Sequence, residues 1–246
     1  MKVLILGASG TTGKLVARQL LERKINVRLV VREGAILPVE ILADPLVEIV
    51  KGNVSEFDDS RLTAILEGCG AVVSCLGHTV SLKGMFGKPR NLVSGTIKNI
   101  CGIAGKQDGK KVKLILMSTT AYTNSVSGEK NTLGERIALS VFALLLPAHR
   151  DNVKAADYLR DEIGKVDEKI EWIAVRPDTL VNDESESPFH ACESPVRSPV
   201  FDAGKTTRIN VSRFMSDLLL DEALWNEWRC RMPVLYNQPQ EPAKVR

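Results

Sequence analysis

The sequence predicts an α/β fold built on a doubly wound parallel sheet, and three observations predict it. Short apolar runs alternate with longer amphipathic segments, the alternation holds to about residue 176, and a glycine-rich turn separates the first run from the first amphipathic segment. Val3 to Leu6 is the first strand. Leu15, Val16, Leu20 and Leu21 then recur at helical spacing, with Lys14, Arg18 and Glu22 on the other side, which marks an amphipathic crossover helix. Further strands are expected at Val27 to Val31, Val47 to Val50, Ala71 to Leu76, Val112 to Met117 and Ile170 to Val175. Crossovers are expected around 58–67, 89–105 and 131–165.

Beyond residue 177 the rhythm stops. Asp183 to Pro199 is polar and rich in Pro and Ser, so it reads as a surface excursion, either a substrate-side loop or an insertion. A last helix is expected from Ser212 to Trp228 and a short strand from Met232 to Tyr236, with a frayed tail after Pro239. The simplest organisation is one domain over 1–246, with 1–182 as its core and 183–246 as a substrate-side segment.

Bulk composition narrows the function classes. Hydrophobic residues make up 44% and charged residues 26% of 246 positions, values of an ordinary globular chain. A net charge of +3 gives no reason to expect nucleic acid as a partner. Cys69, Cys75, Cys101, Cys192 and Cys230 form no Cys-x-x-Cys pair, which fits a reducing, cytoplasmic setting better than a disulfide framework. No targeting signal is visible, and no apolar run approaches the roughly 20 residues of a membrane span. The longest, Ile137 to Leu146, is expected to fill the core, with pairing of two subunits as the alternative, so monomer and homodimer both stay open.

The turn after the first strand reads Gly7-Ala8-Ser9-Gly10-Thr11-Thr12-Gly13, and its position carries the functional expectation. A glycine at the strand end permits a tight turn, the second lets backbone approach a pyrophosphate, and the third allows close packing of helix on strand. Unpaired amides at the helix start then attract the anion. Gly7, Ser9, Gly10, Thr11, Thr12 and Gly13 are therefore candidate dinucleotide-binding residues of a Rossmann fold. At the end of the second strand stands Arg32, where an NAD-specific site would place an acid against the ribose. A guanidinium there suits a 2′-phosphate, so NADP(H) is favoured over NAD(H); Glu33 next to it could take the ribose instead. Asn53 and Val54 follow the third strand, where an amide can meet adenine. Cys75, Leu76 and Gly77 end the fourth strand beside the expected cofactor path.

With these pieces in place, the chain resembles the atypical short-chain dehydrogenase/reductase group, in its NmrA-like and biliverdin/flavin reductase-like branch. The resemblance covers residues 1 to about 182. It rests on Gly7-x-x-Gly10-x-x-Gly13, the strand ending at Arg32, Gly52-Asn53-Val54, the strand end Ser118-Thr119-Thr120, the helix containing Lys154, and Trp172-Ile173-Ala174-Val175-Arg176-Pro177. It implies NADP(H) binding and a substrate cleft at the C-terminal edge of the sheet.

Carbonyl-reducing members of that superfamily carry Tyr-x-x-x-Lys on the helix after the fifth strand. The matching segment here is Arg150-Asp151-Asn152-Val153-Lys154, with the lysine but not the tyrosine. An arginine is too basic to donate a proton near neutral pH, so alcohol dehydrogenase chemistry loses its usual acid. The resemblance then implies hydride delivery to a conjugated or carbonyl acceptor such as a flavin or quinone. His149, Ser118 and Thr119 are expected on the nicotinamide side, Ser118 polarising the acceptor and Lys154 binding ribose hydroxyls. Pro177 is expected to fix the turn after the sixth strand beside the cofactor, and a main-chain contact from Thr179 or Leu180 to the carboxamide belongs to the same expectation. The alternative function is a non-catalytic NADP(H) sensor of NmrA type. His78 and His190 lie at unrelated spacings, and no metal site is expected.

Overall fold

The computed structural model describes residues 1–78, 87, 89–106 and 111–238. Its elements run β1 (Lys2–Leu6), α1 (Thr11–Glu22), β2 (Asn26–Val31), α2 (Val39–Leu42), β3 (Val47–Lys51), α3 (Asp59–Leu66), β4 (Ala71–Ser74), α4 (Leu92–Lys106) and β5 (Val112–Met117). They continue with α5 (Leu133–Leu145), α6 (Pro147–Tyr158), β6 (Ile170–Pro177), β7 (Thr179–Val181), β8 (Phe189–Cys192), β9 (Lys205–Thr207), α7 (Arg208–Leu220), α8 (Glu222–Trp228) and β10 (Val234–Asn237). The main sheet has eight strands in the order β3-β2-β1-β4-β5-β6-β10-β8. All its pairs are parallel except β10 with β8.

Side chains of a strand alternate between faces, and β1 shows what that does here. Leu4 and Leu6 join one core with Leu62 of α3, Ile97 of α4 and Ala155 of α6, whereas Val3 and Ile5 join the other with Val16 of α1, Phe214 of α7 and Trp225 of α8. Both faces of the sheet are therefore covered, as a run of consecutive apolar residues in a parallel strand requires. Between β3 and β4 the chain crosses from one side of β1 to the other. This reversal opens a crevice beyond the carboxyl ends of β1 and β4, where ligands bind in such sheets.

The structure departs from the sequence expectations in four places. The segment at 131–165 is two helices and a terminal π-turn (Leu159–Ile163), because Pro147 cannot continue α5 and instead opens α6. The apolar run Ile137–Leu146 is not core: Ile137 is 58% and Leu144 76% exposed. α6 takes the place on the sheet through Ala155 and Ala156, followed by Leu159 of the π-turn, so α5 stands outside it as a second layer. α5 keeps its start through a capping box in which Thr132 accepts from the Glu135 amide and Glu135 accepts from the Thr132 amide.

The second departure is the expected helix Ser212–Trp228, which is two helices with Asp221 between them as the cap of α8. In the third, the fourth strand ends at Ser74 rather than Leu76. Finally, the polar stretch 183–199 contains β8, which extends the main sheet on β10, while α7 packs along α1. The expected tail after Pro239 and most of the loop 79–90 lie outside the described residues.

Candidate cofactor cleft

β1 delivers the chain to a turn that only small residues can make. Gly7 has φ +75°, and a Cβ built on it would lie 2.7 Å from the Cys75 carbonyl oxygen. A Cβ on Gly13 would lie 2.3 Å from the Gly7 oxygen, so this glycine sets how closely α1 seats on the turn. Gly13 itself is buried beneath the cradle. Gly10 is the N-cap of α1, offers no side-chain cap, and no acid stands in the first turn. The contrast within the molecule is informative: Asp58, Thr132, Thr207 and Asp221 cap α3, α5, α7 and α8 with their side chains. The first amides of α1 thus keep their donors and the positive end of the helix dipole for an anion.

A cleft of about 440 Å³ crosses this helix start. That volume is within the usual span of small-molecule sites. Gly7, Ser9, Gly10, Thr11 and Thr12 form its middle, and Arg32, Asn53 and Val54 its wall at the β2–β3 end. Cys75, Leu76 and Gly77 line it past β4, and Leu180 and Met117 close the inner end. Arg32 is solvent-exposed, and among the described residues its guanidinium makes no hydrogen bond or ion pair. Glu33 is not part of the wall. Asn53 holds its amide against Glu56 at 2.8 Å and accepts from the Ser55 hydroxyl, so its side chain is fixed in place at the cleft rim. Burial pushes the Cys75 thiol up to about 12, making it a neutral wall residue rather than a nucleophile. These residues fit a dinucleotide: amides for the diphosphate, a guanidinium at one end and apolar walls at the other.

The candidates for chemistry are placed differently. Lys154 is exposed on α6 and does not line the cleft, and neither do Ser118, Thr119, His149, Pro177 or Thr179. Ser118 is buried next to Met117 in sequence, and among the described residues its hydroxyl has no hydrogen-bond partner. Thr119 uses its hydroxyl to accept from the Ala121 amide, the behaviour of a strand-end cap. His149 is half-buried at the start of α6, and desolvation lowers its imidazole below the ordinary histidine value. The Thr179 amide is already taken by the Asp178 carboxylate at 2.7 Å, because β7 turns away to pair with β9. Of Thr179 and Leu180, the two residues expected at the carboxamide, only Leu180 reaches the wall.

Several wall residues were not among the sequence candidates, Met117, Arg208, Leu92 and His78 among them. Arg208, the first residue of α7, is held by the Leu180 carbonyl and Asn182 Oδ1 (3.3 and 2.9 Å) and adds a second cation. Its sequence neighbourhood carries no motif; only the return of α7 to α1 puts it there. Leu92, at the start of α4, and His78, one residue past Gly77, line the inner end. Position alone could have flagged His78, since it lies two residues past the predicted strand end at Leu76. Among the described residues no three His, Cys, Asp or Glu side chains cluster as metal ligands would.

An open helix start and a continuous cleft at the switch point define a dinucleotide-binding Rossmann protein. The model of an NAD(P)H-binding family matches residues 7–222, and the chain belongs to that family. An uncharacterized chloroplastic protein of Arabidopsis thaliana is 28% identical over 182 residues, which is 74% of this chain. The chain spans only 60% of the length of that relative. A short-chain dehydrogenase/reductase of Veillonella parvula, solved with NADP, superposes with TM-score 0.67 at 16% identity, covering 98% of each chain. ChuY, an anaerobillin reductase of Escherichia coli O157:H7, gives TM-score 0.66 at 17% identity over 99% of this chain and 100% of its own. At such identities the two structures establish the shared fold. No helix among the described residues is long and apolar enough to cross a membrane.

Proposed function

We propose that this protein is an NADP(H)-dependent oxidoreductase that reduces a small conjugated or carbonyl acceptor. The observation that carries the reading is the Arg32 guanidinium, unpaired among the described residues, at one end of a cleft whose middle is the open start of α1. A 2′-phosphate at Arg32 gains a charge-assisted hydrogen bond that a ribose hydroxyl does not. The NADP seen in the Veillonella parvula protein and the anaerobillin reductase activity named for ChuY are consistent with this reading.

Bound NADPH supplies a hydride. The chain's own contribution is to hold the diphosphate on the amides of Thr11 and Thr12, clamp the adenosine end with Arg32 and Asn53, and place Leu92, Met117 and Leu180 beside His78 at the inner end. The three apolar side chains there favour a flat, conjugated partner.

Fluorescence titration tests the cofactor assignment. NADPH should bind more tightly than NADH, and Arg32→Ala should remove a preference of about tenfold to about a hundredfold. Equal affinities in the wild type would defeat the 2′-phosphate argument. A second reading, a cofactor-binding sensor, is favoured by one observation: Lys154, Ser118 and Thr119 all lie outside the cleft wall. NADPH oxidation against flavins, quinones, bilins and aldehydes separates the two, since a sensor binds NADPH and turns over none of them.

A further inference from the structure

The cleft wall carries one cation to which neither the glycine turn nor the 2′-phosphate argument assigns a role. Arg208 opens α7, which packs along α1, and the first residues of both helices line the cleft. Thr11 and Arg208 are also the two residues common to the cleft and to an adjoining pocket of about 330 Å³ along α1. The guanidinium is thereby placed level with the first turn of α1, away from Arg32. Lys14 and Arg18 line the adjoining pocket but not the cleft, so of these cations Arg208 is the one on the path of a diphosphate.

The donors of Arg208 are divided. An arginine has five N–H groups, and here the two on Nη1 go to the Leu180 carbonyl at 3.3 Å and to Asn182 Oδ1 at 2.9 Å. Both acceptors are neutral. The neighbouring Asp183 carboxylate accepts from the Glu184 amide at 2.8 Å instead, and among the described residues no ion pair reaches Arg208. Nε and Nη2 have no hydrogen-bond partner among the described residues. Together they form the edge of the guanidinium that takes two oxygens of one phosphate.

We infer that Arg208 binds the diphosphate of the dinucleotide together with the opening amides of α1, donating from Nε and Nη2 to its oxygens. The inference rests on the dinucleotide reading above, but not on the choice between NADPH and NADH or on turnover. A helix start offers about half a positive charge, whereas each phosphate of a dinucleotide carries a full negative one. The amides alone therefore leave most of the charge unmatched, and a full cation beside them supplies it. The bonds from Nη1 hold the fork in place before the cofactor arrives, which lowers the ordering cost of binding.

Fluorescence titration with both dinucleotides tests the assignment. Arg208→Gln should weaken NADPH and NADH by a common factor of about tenfold to about a hundredfold and leave their ratio unchanged, because both carry the diphosphate. Arg32→Ala should change the ratio instead. Adenosine 2′-phosphate, used as a competitor that lacks the diphosphate, should bind Arg208→Gln within about twofold of the wild type. Arg208→Lys keeps the charge without the fork, so its common loss should be smaller than that of Arg208→Gln.

A tether for residues 180–182 and nothing more would give another pattern: cofactor-free Arg208→Gln melts earlier yet binds both dinucleotides as the wild type does. That pattern overturns the proposal. So does a loss confined to NADPH, which puts Arg208 at the 2′-phosphate, or unchanged dinucleotide affinities with a raised acceptor KM, which puts it at an anionic group of the acceptor. Should Arg208→Gln fail to fold, Arg208→Lys decides, since an equal loss of both affinities supports the clamp and wild-type affinities overturn it. A wild type that binds NADPH and NADH equally defeats the 2′-phosphate argument and leaves this inference standing; one that binds neither defeats both.

Discussion

Substituting Gly13 by alanine should damage the fold and the cofactor site together. The new Cβ would stand 2.3 Å from the Gly7 carbonyl oxygen and 2.9 Å from the Ala8 Cα, whereas ordinary contact begins at 3.4 Å. The Gly7 side cannot retreat, since Gly7 is itself backed onto the Cys75 carbonyl. α1 must therefore lift by roughly 1 Å, against Val16, Ala17 and Leu20, which are fully buried under it. Overpacking of this kind costs about 3 kcal/mol, which lowers a urea midpoint by about 1 M for a slope near 3 kcal/mol/M. The same displacement moves the open amides off the diphosphate, at a cost of about tenfold to about a hundredfold in NADPH affinity.

Gly10→Ala separates the two effects. Its Cβ would lie 3.2 Å from the Gly7 oxygen, a far milder contact, but on the cleft side of the turn. Stability should change by less than about 1 kcal/mol while NADPH affinity falls more than about tenfold. A Gly13→Ala protein with the wild-type midpoint, or a Gly10→Ala protein with full NADPH affinity, would refute this account of the cradle.

Three other perturbations test the surroundings of the cleft. Arg176, 0% exposed, holds Glu129 with two bonds of 3.0 and 2.6 Å, so Glu129→Ala should cost about 3–5 kcal/mol in thermal or urea unfolding, with Arg176→Met/Glu129→Ala losing less than the summed singles. Cys75, with its thiol pushed up to about 12, should resist iodoacetamide in the native protein at pH 8. The folded state favours its neutral form, so the stability Cys75 contributes is fully present below about pH 9 and is lost as pH rises toward 12; Cys75→Ala should flatten that alkaline decline. Leu144→Lys on the exposed face of α5 should shift stability by less than about 0.5 kcal/mol, against about 2–5 kcal/mol for Leu159→Ala in the core, and comparable losses would show that the α5 face is covered.

Much of the site was legible because its chemistry is local. The turn Gly7–Gly13, Arg32 at a strand end and Cys75–Gly77 past β4 are each set by a few consecutive residues, and their places at the carboxyl ends of parallel strands follow from alternation alone. The misplaced residues depended on contacts across the fold. Thr179 was expected to offer its amide, but Asp178 and the pairing of β7 with β9 take it. Lys154 shares α6 with Asp151, and the rotation of that helix exposes the lysine and buries the aspartate.

By itself the sequence determined the winding of the sheet, the glycine-rich turn after β1 and the cation at the end of β2, since periodicity and backbone sterics act over a few residues. Tertiary structure decided which apolar helix lies on the sheet, that α7 returns Arg208 to the cleft, and that His78 meets Asp151 across 73 positions of chain. Those outcomes depend on burial and on partners distant in sequence, and neither is encoded in the spacing of neighbouring residues.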